Sequence, residues 1–196
     1  MLHYTVIATI LICAYVLGAI PTALIVSRKI KKVDIRCVGD GNMGAHNTFH
    51  EVGPKFGLSV ALMDVAKGAL AVCLARVPGL DLSWQILAAI LAILGHDFPV
   101  WANFKGGQGL AVSFGTMAVL FPLAALVGIS VYGISFLLVK SSNIAAGTGG
   151  AAIALMLGLS QNWVFLAYAI IVLLFVAVKM VIDGPRRRSI GITKIC

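Results

Sequence analysis

Charge is what this chain has least of: 11% of its 196 residues are Asp, Glu, Lys or Arg, and only seven are acidic. So few charges cannot build the polar shell of a soluble domain. With 60% hydrophobic residues and a mean hydropathy of +1.02, the chain falls in the membrane class. Metal-ligand spacing is missing too. Cys13, Cys37, Cys73 and Cys196 are spaced like no zinc site, and two of them lie inside apolar runs, so free thiols are expected, with no disulfide framework. The first apolar run has neither a basic leader nor a small-residue cleavage site, which reads as a retained span.

The charges that remain are concentrated. Fifteen basic residues give a formal net charge of +8, and they crowd between the apolar runs. That distribution argues against nucleic acid, which needs a continuous basic polar face, and for membrane topology and anionic lipid headgroups.

Tyr4 to Val26 forms a first span that Gly18 and Pro21 should bend. Phe56 to Ala75 and Trp84 to Val100 follow. The uncharged run Leu110 to Val139 would extend about 45 Å as one helix, too long for one untilted crossing, and Pro122 offers a break. Ile144 to Leu159 and Trp163 to Ile182 complete the set. Seven crossings bring Arg28 to Lys32, Lys105, Lys140 and Arg186 to Arg188 to the cytoplasmic side.

The expected fold is an all-α integral membrane protein, a polytopic bundle of about seven transmembrane helices with its N-terminus outside. Residues 1–196 form a single transmembrane domain, with cytoplasmic glycine-rich loops at 31–55 and 102–109. Gly147, Gly149 and Gly150 suggest close helix contact or a broken helix. The pattern does not set an oligomeric state.

Both loops place glycines beside polar side chains. In GHDFPVWANFKGGQG, the backbone at Gly106, Gly107 and Gly109 can turn its N–H groups inward as an anion nest. Lys105 adds a point charge, and the helix opening at Leu110 adds its N-terminal field. In GDGNMGAHN, Asn42 and Asn47 can hold hydroxyls or phosphate oxygens, and Asp40 and His46 can move protons. Ordinary turn chemistry accounts for the same glycines and asparagines. His46, His50 and Glu51 invite a metal reading, but no second ligand pair matches, so no metal is assigned. Asp64 and Lys67 share a helical face inside an apolar run, as a packing ion pair or as a helper positioning a loop. His96 is open between a base and a structural or capping histidine.

DIRCVGDGNMGAHN, MDVAKG and GHDFPVWANFKGGQG, in this order after GAIPTALIV, resemble the bacterial acyl-phosphate:glycerol-3-phosphate acyltransferase family, over roughly Gly18 to Gly115. The resemblance implies a small enzyme of the bacterial inner membrane with seven transmembrane helices. Such an enzyme moves a fatty acyl group from acyl phosphate to the 1-hydroxyl of glycerol 3-phosphate and makes lysophosphatidic acid for phospholipid synthesis. It also implies that Lys105, Gly106, Gly107 and Gly109 hold a substrate phosphate, with Asn42, Gly44 and Asn47 lining the other side. Acyl phosphate is already an activated anhydride, so neither cofactor nor acyl-enzyme is expected.

The chain departs from the family at Asp40, where the family carries Ser, and at His50, where it carries Arg. It also departs after the last span, where KMVIDGPRRRSIGITKIC contains neither the His nor the Asn of the family's terminal motif. Three outcomes stay open: His46 with Asp40 as the base, a substrate phosphate in that role, or a non-catalytic membrane protein or transporter that binds a phosphorylated or lipid ligand.

Overall fold

The computed structural model describes the backbone of residues 2–192 and the side chains of residues 3–184, and every regular element among them is helical. α1 (Leu2–Gly18) and α2 (Thr22–Lys31) come from one apolar run. Gly18 favours a helix end, and Pro21 can neither donate to the ladder nor let Ile20 stay helical, so the expected bend is a break. α3 (Ala45–Glu51) is a short helix inside the first polar segment, where loop alone is expected from composition.

α4 (Pro54–Arg76) starts on a proline, where a missing N–H costs nothing, and α5 (Leu82–Asp97) returns from Gly79. α6 (Leu110–Leu120) and α7 (Pro122–Val139) divide the long uncharged run at Phe121, as the position of Pro122 implied. α8 (Ser142–Leu159) is unbroken through its glycines, and α9 (Trp163–Ile192) closes the order.

Among the described residues, six helical stretches are long and apolar enough to cross a membrane, with α1 and α2 counted as one. The 11-residue α6 falls short of that length, rising about 16 Å against a hydrocarbon core of about 30 Å. Leu62, Leu70, Leu126, Leu138 and Leu155 point outward and exposed, the arrangement an integral membrane protein presents to lipid.

With lipid outside, burial of apolar surface cannot hold helices together, so close backbone approach has to. α1 meets α5 through reciprocal glycines: Gly18 lies against the carbonyl of Ala92, and Gly95 against that of Tyr15. α4 meets α6 in the same way, Gly68 on Val112 and Gly115 on Val65. In each case an added Cβ would enter backbone, which cannot yield. Between α7 and α8, Gly149 lies against Gly128 and Tyr132, so Gly149 makes the expected close contact, whereas Gly147 faces open space.

One expectation is corrected. Cys13 and Cys73 are free thiols, but Cys37 is disulfide-bonded, because pairing depends on proximity in space that sequence separation does not reveal. Cys196 and the side chains of Arg186, Arg187 and Arg188 lie outside the described residues.

Candidate active site

The intramembrane charges meet the chain at the break between α1 and α2. Helix interruption leaves the Ile20 carbonyl outside any ladder, and Lys67 Nζ donates to it at 3.0 Å. The same ammonium pairs with Asp64 Oδ1 at 3.0 Å, and Thr22 Oγ1, in the first turn of α2, donates to that oxygen at 2.6 Å. Asp64 is 1% exposed, so these two partners replace the water it gives up. His96 Nδ1 lies 3.8 Å from the same Oδ1, beyond hydrogen-bond range but close enough for a protonated ring to feel the charge.

The first loop is held from inside. Asn47 Nδ2 donates to the carbonyls of Ile35, Val38 and Asn42, and its Oδ1 accepts from the Asp40 amide. These four bonds make Asn47 the clasp of the loop, facing its backbone and not the cavity described below, where it was expected as a ligand group. Asp40 accepts the Asn42 amide through Oδ1 at 2.9 Å, the local turn bond its side chain favours, and it has no bond to His46. His46 instead sits edge-to-face with His50, ring centroids 4.7 Å apart.

Asp34, Arg36 and Arg28 anchor the preceding turn. The Arg36 guanidinium holds the Asp34 carboxyl well below the usual carboxylate range, with Arg28 adding to the effect, while Arg36 is itself raised by that carboxylate. Arg36 Nη1 reaches the Ala102 carbonyl at 3.0 Å and so ties the first loop to the second.

In the second loop the expected nest is also corrected. The Gly106 amide donates to the Asp97 carbonyl and the Gly107 amide to the His96 carbonyl, so both are spent capping α5. These glycines are required by proximity: a Cβ on Gly107 would enter the His96 ring, and one on Gly106 the His96 and Asp97 carbonyls. Free donors begin one step later. Gly109 takes a left-handed turn (φ +72°), and the first N–H groups of α6 beyond it have no helical acceptor. Lys105 is exposed and lies outside the cavity described next.

That cavity holds about 310 Å³ and opens between the two loops. Of the residues singled out in the sequence, Asn42, Gly44, His46, Asp64, His96 and Gly109 line it; Asp40, Asn47, Lys67, Lys105, Gly106 and Gly107 do not. Two lining residues were missed. Gln108 and Ser113 are both buried, and Gln108 Nε2, Ser113 Oγ and Asn42 Oδ1 have no hydrogen-bond partner among the described residues. Buried polar atoms left open cost roughly 1–3 kcal/mol each, so three lining one cavity point to a polar ligand. The signal for Ser113 was its place in an apolar run, one helical turn past Gly109. Below this rim the wall is apolar, with Met117, Ile129, Ile153, Ala169 and Val172 facing the space.

Behind the second loop, Asp97 is fully buried without a hydrogen-bond partner among the described residues, its Oδ1 facing Gly109. Lys179 pairs with Asp183 at 3.1 Å and lies 4.7 Å from the Phe98 ring centroid, which ties the second half of α9 to the end of α5.

The glycerol-3-phosphate acyltransferase family matches the sequence over residues 8–184. The chain belongs to that family. Glycerol-3-phosphate acyltransferase 1 of Dehalococcoides mccartyi is 39% identical over 183 residues, covering 90% of this chain and 88% of its own length. An enzyme of the same name from Anaeromyxobacter dehalogenans is 38% identical over 152 residues, 75% of each chain. Among solved structures, the glycerol 3-phosphate form of PlsY (YgiH), an integral membrane glycerol 3-phosphate acyltransferase, superposes with a TM-score of 0.83 at 29% identity. It covers 93% of this chain and 92% of that one. The lysophosphatidic acid form gives 0.81 at 28% identity. This glycerol-3-phosphate acyltransferase relative therefore carries the architecture of the family as well as its sequence, and the cavity lies between its two glycine loops.

Proposed function

We propose that the chain transfers a fatty acyl group from acyl phosphate to the 1-hydroxyl of glycerol 3-phosphate, releasing inorganic phosphate and forming lysophosphatidic acid at the cytoplasmic face of a bacterial inner membrane. The observation that carries this reading is the cavity itself: three unsatisfied polar groups at one end and an apolar slot at the other, the shape of a phosphorylated lipid. Gln108 and the N–H groups of Gly109 and the first turn of α6 hold phosphate oxygens. Asn42 Oδ1 accepts from a glycerol hydroxyl, and Ser113 donates to the acyl carbonyl. The 1-hydroxyl oxygen attacks that carbonyl carbon, His46 takes its proton, and the bond to the phosphate oxygen breaks with its electron pair leaving on phosphate. The direct test is purified protein with acyl phosphate and labelled glycerol 3-phosphate, read as labelled lysophosphatidic acid. No product with any acyl phosphate would overturn the proposal and leave a binding protein.

The donor placement makes a comparison of two variants decisive. Gln108→Ala should lower kcat/KM for glycerol 3-phosphate or acyl phosphate by about tenfold to a hundredfold, the loss of one hydrogen bond to a charged oxygen. Lys105→Ala, at an exposed position, should cost less than about fivefold. The reverse order would place the phosphate outside the cavity.

Seven crossings with the N-terminus outside form part of the same proposal, α6 being the short one. Single cysteines at positions 105 and 140 should label only from the cytoplasmic side; labelling of either in intact cells by an impermeant reagent would refute it.

A further inference from the structure

On α8 the residues facing the cavity are Ser142, Ala146, Gly149, Gly150 and Ile153, a single helical face that stays small for two turns and then ends in one large side chain. Because α8 rises about 16 Å between Ser142 and Ile153, that side chain lies deep along the slot. It is 6% exposed and belongs to the main apolar core. Its Cδ1 and Cγ1 reach across to α7 at Gly128, where an added Cβ would collide with both. Gly128 has no side chain to offer, so Ile153 fills the space over it, one turn along α8 from the backbone contact between Gly149 and Gly128. The polar end supplies the independent sign of a ligand: the side chains of Asn42, Gln108 and Ser113 are each more than nine-tenths buried and carry an unpartnered atom on the same cavity.

We infer that Ile153, braced against Gly128, is the floor of the acyl slot and sets the length of fatty acyl chain this enzyme prefers. The inference rests on the acyltransferase reading, because it takes the slot to hold the hydrocarbon while the loops hold the phosphate. A chain that reaches Ile153 gains contact for every methylene up to that point, and a longer one must bend or push the side chain aside. Enlarging the floor side chain withdraws room from the end of the slot; shrinking it adds room there. Neither change touches the groups at the polar end.

The test uses full-length protein in detergent with decanoyl, lauroyl, myristoyl, palmitoyl and stearoyl phosphate. Ile153→Phe should lower kcat/KM for the longer donors by about fourfold for each methylene displaced while leaving decanoyl phosphate within about twofold of the parent. Ile153→Ala should move the optimum to a longer chain, and Ile153→Val, which removes only the Cδ1 facing Gly128, should move it the same way by less. Thermal stabilisation by lysophosphatidic acids of the same chain lengths gives a second readout that needs no turnover. Profiles that shift in parallel across all lengths in both readouts would overturn the floor. A parent that makes no product, but whose stabilisation profile shifts with these substitutions, would sink the acyltransferase reading and leave the floor standing.

Discussion

His46→Gln is expected to lower kcat by about 10²-fold or more, the usual scale for loss of a general base, with the fold and substrate binding retained. His46 lines the polar end of the cavity and is exposed, so its ring can meet a hydroxyl entering from the loop side. An imidazole suits proton transfer near neutrality, and Gln keeps a similar polar volume without the basicity. The checks are kcat, KM and melting temperature on one preparation. Asp40→Ser separates the roles of the two residues. Asp40 holds the Asn42 amide and not the histidine, so this change should raise KM, through the position of Asn42, more than it lowers kcat. A parental rate in His46→Gln would move the base elsewhere, with His96 the other imidazole on the cavity wall.

Asp64→Ala should be the most destabilising single substitution outside the glycines. It leaves the Lys67 ammonium buried with one carbonyl for company, and breaking such a pair from one side costs about 3–5 kcal/mol. Thr22 also loses its acceptor, and the junction of α1 and α2 loses the group that draws it against α4. The companion variant decides between charge and packing. Adding Lys67→Met to Asp64→Ala should restore most of the lost thermal stability in detergent, since no unpaired charge then remains. A single variant that melts within a degree of the parent would show that water reaches the site.

The helices were legible because lipid imposes one long apolar run per crossing, and even the division of the long run at Pro122 followed from length. Within the loops, residue type misled where pairing decides. Asn42 and Asn47 look equivalent in sequence, yet Asn47 is engaged with four backbone partners while Asn42 keeps an open oxygen on the cavity. Gly106 and Gly107 looked like anion donors, but their amides serve α5. Gln108 hid among glycines, and Ser113 among apolar neighbours. Which donor remains free is a property of the fold, and no spacing rule encodes it.

The two amides spent on α5 have a kinetic meaning. Since the second loop is the cap of that helix, it cannot loosen without unravelling the helix end, so its ordering entropy is lost once, when the chain folds, and not at each encounter with substrate. A site built this way meets a ligand already shaped, and its association rates should depend on how the ligand reaches the cavity more than on any closing motion of the loop.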